Sequence, residues 1–157
     1  MSIHTTQAQP SDAPIIAELV GELLQEIMAA IGTKAFGFSQ ADTEARARSW
    51  LTDGSYTVLL AHEGEVAVGF LALSESRALY AEGAFGTIPE LYVRPGFRSR
   101  KVGATLLAEA KQCAGSKGWT RLEVTTPPLP QFDRTLVFYE RQGFSISGGR
   151  KMKIDLP

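Results

Sequence analysis

The sequence predicts an α/β (α+β) fold, with a mixed, mostly antiparallel central sheet of about seven strands flanked by about four helices. Three observations carry that expectation. Two long stretches repeat apolar residues at helical spacing: Ile15, Ile16, Leu19, Leu23, Leu24 and Ile27 in the first, Val102, Leu106, Leu107, Ala110 and Ala114 in the second. Two β-rich runs, YTVLLAH at 56–62 and VAVGFLALS at 66–74, are joined by Glu63-Gly64-Glu65 and read as an antiparallel hairpin. The length, 157 residues of which 44% are hydrophobic and 21% charged, fits one domain spanning 1–157 that buries a core without disulfides or a structural metal.

Taken in order, the chain opens with a short strand at Ile3–Gln7. Ser11 or Asp12 caps the first helix, Pro14 sits in its first turn, and the helix ends before Gly32. Residues 33–39 read as a loop exposing Phe36 and Phe38, and 40–51 as a second, more polar helix ending at Asp53-Gly54. After the hairpin comes a Gly-containing stretch, 81–86, and then TIPELYV at 87–93, a third strand that stops at Arg94-Pro95-Gly96. The second apolar stripe follows at once, closed by Lys117-Gly118. Residues 121–125 read as a strand, 127–130 as a rigid Pro-rich loop, and 135–142 as a short helix ended by Gly143. Two strands, near 144–147 and 151–156, finish the chain.

Composition excludes several functions. Sixteen Lys and Arg against 17 Asp and Glu leave a net charge of −1, which is not the footprint of a nucleic-acid binder. One cysteine, Cys113, and two histidines, His4 and His62, offer neither a C-x-x-C pair nor metal-ligand spacing, so no metal is expected. Cys113 reads as packing in the second long helix. No apolar run approaches the roughly 20 residues that span a bilayer. The expectation is a cytoplasmic protein with neither nucleic-acid nor membrane partners.

The chemistry concentrates in LYVRPGFRSRKVGATLL, residues 91–107. A strand runs into a turn with Pro95 and Gly96, and a helix starts amid Arg94, Arg98, Arg100 and Lys101. Amides at a helix start have no internal acceptor and the helix dipole is positive there, so the turn is prepared for an anion such as a phosphate. Cations there oppose the dipole, which argues for a ligand rather than a purely structural choice. Gly103 lets backbone come close, and Ala104 and Thr105 keep the same face open. Neither G-x-x-x-x-G-K-S/T nor G-x-G-x-x-G is present, so ATP-type and dinucleotide sites are disfavoured.

The segment 93–107 resembles motif A of the GNAT superfamily of acyl-CoA-dependent N-acetyltransferases: Val, any residue, Pro, two residues, Arg or Gln, two residues, Gly, one residue, then Gly or Ala. Arg98 takes the Arg/Gln position and Gly103 the last; Lys101 replaces the first glycine, where its charge would add to the hold on phosphate. Downstream, FYERQGF at 138–144 is similar to the family's motif B ending, with Tyr139 as its tyrosine. Phe132 and Thr135 depart from the Asn and Ala that the family often carries seven and four residues before that tyrosine.

The resemblance implies direct attack of an amine on the thioester of acetyl-CoA. Backbone of Leu91, Tyr92 and Val93 would hold the pantetheine arm and carbonyl. The turn and helix start, Arg98, Ser99, Arg100, Lys101, Val102, Gly103, Ala104 and Thr105, would hold the diphosphate. Tyr139 would protonate the departing thiolate, its phenol having an ordinary pKa near 10. For the base, Glu90 stands out as a carboxylate in an otherwise apolar strand, and several branches of the family carry an acid on this strand. Glu123 on the facing strand and a water chain are the alternatives.

The acceptor side of such a fold is lined by the first two helices, their loop and the end of the sheet, here Glu22, Glu26, Tyr80 and residues 127–132. A small-molecule amine is expected, since no long acidic groove is evident. Family members pair as dimers through sheet edges, and 150–156 is an edge for a homodimer. The competing classes are a non-catalytic acyl-CoA sensor and an interaction module built on Phe36 and Phe38.

Overall fold

The computed structural model describes residues 2–157. Strand β1 (Ile3–Gln7) leads through a short helical turn at Pro10–Asp12 into helix α1 (Ala13–Ile31). The entry is closed reciprocally, with Asp12 Oδ2 accepting from the Gln9 amide at 2.8 Å. The exit is Gly32 at φ +68, whose amide donates to the Met28 carbonyl. Helix α2 (Gln40–Asp53) starts at Ser39, whose hydroxyl accepts from the Asp42 amide at 3.2 Å.

Strands β2 (Thr57–Glu63) and β3 (Val66–Ala78) form the expected hairpin. Its register carries a bulge: Ala61 pairs with Gly69 and His62 with Ala67, so Val68 is the extra residue. Then come β4 (Gly83–Ile88), β5 (Leu91–Val93), α3 (Val102–Ser116), β6 (Leu122–Val124) and α4 (Asp133–Arg141). The sheet order is β1-β2-β3-β4-β6, with β5 pairing β3 off that path; only β4–β6 is parallel.

Alternation along β2 sends side chains to both faces, which gives two cores. On one face Leu59, Ala61, Val68, Leu71 and Leu73 meet Val102, Leu106 and Leu107 of α3 and Tyr139 of α4. On the other, Val58, Leu60 and Phe70 meet Ile16, Leu19, Leu23 and Ile27 of α1. Leu19, Leu106 and Leu107 are fully buried, each contributing about 1.5–3 kcal/mol relative to an exposed side chain.

The structure departs from the sequence reading in three places. The strand expected at 87–93 is two strands: β4 begins at Gly83, inside the stretch taken as a connection, and the chain breaks at Pro89-Glu90 before β5. Pro89 has no amide to give a ladder, so the break falls there. Strand β3 runs on to Ala78 because its last five residues pair with β4. The strands expected near 144–147 and 151–156 do not form. Met152, Ile154 and Leu156 alternate as a strand would, but all three are exposed; alternation without an edge to pair and a face to bury does not make a strand.

Candidate active site

The break at Pro89-Glu90 parts the sheet. Strand β4 lies between β3 and β6, whereas β5 pairs β3 alone. Ala72 donates to the Glu90 carbonyl and Arg94 to the Val68 carbonyl, both within 2.9 Å. In an antiparallel ladder backbone groups alternate between edges, so the amides of Leu91 and Val93 turn to the edge away from β3. They are therefore presented to a ligand, while the Tyr92 amide is turned into the sheet. The approach of β5 to β3 depends on Gly69: a Cβ there would stand 2.7 Å from the Tyr92 carbonyl oxygen.

Beyond β5 the chain makes a helical turn, Pro95–Arg100, and reaches Lys101 at φ +61. Lys101 thus holds the left-handed conformation that glycine adopts most readily. No side chain caps α3 and no acid lies in its first turn, so the amides of Val102, Gly103 and Ala104 are left without side-chain acceptors at the helix start, an arrangement that could receive an anion. Val102 itself is buried, and the Thr105 hydroxyl donates to the Lys101 carbonyl at 2.9 Å. Ser99 and Lys101 are exposed.

The arginines are engaged elsewhere. Arg94 is forked onto Glu22 at 2.9 and 3.1 Å, reaches Glu18 at 3.0 Å and donates to the Ala67 carbonyl. Arg98 pairs with Glu26 and donates to the Val93 carbonyl at 2.8 Å. Arg100 pairs with Glu63. Glu18, Glu22 and Glu26 are one stripe on α1, so the arginines expected to gather on a phosphate instead join α1 and β2 to this turn, and Arg98 has its backbone to offer a ligand. Gly103 also has a packing reason: a Cβ there would meet the tip of the Phe138 ring at 3.0 Å.

On the α1 face, the Glu90 carboxylate is largely buried in the break. Burial raises its pKa, opposed by a hydrogen bond from the Tyr56 phenol, 3.0 Å from Oε2 and 3.3 Å from Oε1. Tyr92, on the same face, donates to Glu22 at 3.2 Å, and burial with that carboxylate pushes its phenol up to about 12. On the opposite face Tyr139 is buried with Leu91 and Val93 in the α3 core, between Phe138 and Phe144. Burial raises its pKa well above the ordinary phenol value. Its hydroxyl makes no hydrogen bond to another described residue. Glu123 is exposed and paired with Arg121 at 2.7 Å, away from this arrangement.

The acceptor-side residues are dispersed. Glu22 and Glu26 are committed to arginines, and Tyr80 is exposed with Arg121 over its ring at 5.4 Å. Phe132 packs with Tyr56 against the α1 core. A cavity of about 430 Å³ opens between α1 and the 34–40 segment, lined by Gly21, Glu22, Met28, Phe36 and Phe38. Sequence reasoning missed Tyr56, Gly69 and Glu18, and it singled out Glu22 as acceptor lining rather than as the partner of Arg94. No local signal marks Tyr56, which reaches Glu90 across 34 residues.

The sheet is parted between β4 and β5, and the free edge of β5 runs through one helical turn into the uncapped start of α3. The family model of the acetyltransferase (GNAT) domain matches residues 54–146, and the chain belongs to that family. None of the curated proteins matches it. Among solved structures it is similar to an integron cassette protein, HFX_CASS3, from the mobile metagenome of Cole Harbour Salt Marsh. That match has a TM-score of 0.80 at 24% identity, covering 98% of this chain and 90% of the other. An aminoglycoside acetyltransferase from an uncultured soil metagenomic sample, meta-AAC0020 in complex with sisomicin, matches with TM-score 0.79 at 17% identity, over 99% and 97% of the two chains. A predicted acetyltransferase from Clostridium acetobutylicum with acetyl-CoA matches with TM-score 0.79 at 13% identity, over 98% and 96%. Among the described residues no helix is long and apolar enough to cross a membrane, and no cluster of side chains suits a metal ion.

Proposed function

We propose that residues 1–157 form a single N-acetyltransferase domain that moves the acetyl group of acetyl-CoA to a primary amine by direct attack in a ternary complex. One observation carries the reading: the free-edge amides of Leu91 and Val93 are flanked by a partly buried carboxylate, Glu90, on one sheet face and a buried phenol, Tyr139, on the other. The edge amides would hold the pantetheine arm and the thioester carbonyl, and the amides of Val102, Gly103 and Ala104 the diphosphate. Glu90 takes a proton from the acceptor ammonium, and the amine lone pair attacks the carbonyl carbon. As the C–S bond breaks, Tyr139 gives its proton to the thiolate, and the second proton, lost by the nitrogen as the amide forms, restores the phenol through water.

The acceptor is a small molecule. The cavity beside α1 has about 430 Å³, within the span usual for small ligands. The acids on α1 are taken up by arginines, which leaves no acidic groove for a basic peptide tail. The lone thiol, Cys113, accords with a cytoplasmic enzyme.

The test is calorimetric titration with acetyl-CoA, followed on the same sample by thiol release against amines that include sisomicin, a polyamine and an alanine-terminated peptide. Binding with release on a small amine is expected. Binding without release on any amine would point to a sensor of acyl-CoA, and no binding would overturn the reading.

A further inference from the structure

Tyr56 lies outside both motifs, in the residue before β2. Its amide donates to the Trp50 carbonyl at 3.2 Å, and its ring lies against the Trp50 indole with centroids 5.0 Å apart. Anchored so on the end of α2, its phenol reaches Glu90 with the oxygen 3.0 Å from Oε2 and 3.3 Å from Oε1. A phenol between two carboxylate oxygens donates one strong, charge-assisted hydrogen bond and holds the carboxylate in one orientation.

We propose that Tyr56 is a positioning residue, whose phenol holds Glu90 as an oriented carboxylate at the break between β4 and β5. This rests on the reading of Glu90 as the base. Burial alone favours the neutral acid, which cannot accept a proton from the acceptor; the Tyr56 hydrogen bond opposes that, and burial beside Glu90 keeps the phenol protonated so that it stays the donor. The other charged groups of this face are occupied with one another. Glu18 and Glu22 of α1 hold Arg94, Glu22 also accepts from Tyr92, and Glu26 holds Arg98. Among the described residues, Tyr56 is the titratable group that acts on Glu90.

The test replaces Tyr56 by Phe, which keeps the ring against Trp50, in the full chain. A carbon-detected NMR titration of the Glu90 carboxyl needs no acceptor. Its midpoint is expected to move up by about one pH unit in Tyr56→Phe. The acidic limb of kcat/KM with sisomicin is expected to move with it, while KM for acetyl-CoA stays put. Glu90→Gln separates the two ideas. Wild-type turnover in Glu90→Gln overturns the base assignment and this proposal with it. Loss of turnover in Glu90→Gln, with a Glu90 midpoint in Tyr56→Phe within about 0.2 units of wild type, overturns this proposal alone.

Discussion

Lys101 occupies a conformation that suits it poorly, and replacing it by glycine tests both its strain and its charge. At φ +61 it sits in the left-handed region, which costs an L-residue roughly 1–2 kcal/mol. Glycine removes that cost but gives back roughly 0.5–1 kcal/mol through the extra freedom of the unfolded chain. The net expectation for Lys101→Gly is a gain between about 0 and 1.5 kcal/mol, centred on about 0.75 kcal/mol, or about 1.5–3 °C in Tm for a chain of this size. The control is Lys101→Gln, which removes the ammonium but keeps the strained backbone, so its Tm should stay at that of wild type. Thermal unfolding followed by circular dichroism at fixed pH and salt reads both. A glycine variant no more stable than the glutamine variant would refute the argument from strain. Titration of the same proteins with acetyl-CoA separates the second role: if the ammonium helps hold phosphate, both variants weaken binding by the same few-fold factor. Unchanged affinity in both would leave the anion site to the helix-start amides.

Three further outcomes follow from the geometry. Tyr139→Phe should lower kcat by on the order of 10- to 1000-fold with acetyl-CoA affinity and Tm unchanged, because the hydroxyl makes no hydrogen bond to another described residue; unchanged turnover removes Tyr139 from the mechanism. Gly69→Ala drives a Cβ against the Tyr92 carbonyl oxygen, so it should destabilise by about 1–3 kcal/mol and weaken acetyl-CoA binding through β5; an unchanged Tm would show that β5 adjusts freely. Burial raises the Glu90 pKa in the folded protein, so stability present below the unfolded carboxylate pKa is lost as pH rises through the folded one. Glu90→Gln should therefore raise Tm at alkaline pH with the gain vanishing in acid, and a gain that persists at low pH would deny the buried charge its role.

Legibility from sequence followed the range of the interactions. The four helices were readable because their signals are local: Ser39 ahead of Gln40, Gly32 after Ile31, and the stripe Val102, Leu106, Leu107, Ala110. The uncapped start of α3 was readable for the same reason, since a first turn is a property of a dozen adjacent residues. The sheet was less so. Pro89 stood in plain view, yet a proline shows that a strand is interrupted and not that one half, β4, pairs with both β3 and β6 while the other, β5, pairs with β3 alone. The C-terminal alternation satisfied a period without an edge to pair, which is why it misled. Pairs such as Tyr56–Glu90 and Glu22–Arg94 join residues far apart in the chain, and no pattern in either segment announces the other.

The ion pairs change what the charges around this site mean. Four cations at the start of α3 suggested a phosphate clamp, and the acids on α1 suggested a seat for a cationic acceptor. The structure spends three of those cations on Glu18, Glu22, Glu26 and Glu63, so each group largely cancels the other. On the proposed reading, what is left to hold an anion is the directional set of amides at Val102, Gly103 and Ala104 with Lys101 beside it, a site whose strength would depend on geometry more than on net charge. What is left on the acceptor side, on the same reading, is Glu90, partly buried, held by Tyr56 and without a cation of its own among the described residues. A carboxylate so placed favours proton transfer from an amine over a lasting ion pair with it, because burial penalises its charge. With Glu90 proposed as the base, an acceptor would gain its affinity from contacts elsewhere, and the cleft on α1 with Phe36 and Phe38 in its lining is one apolar surface the structure offers.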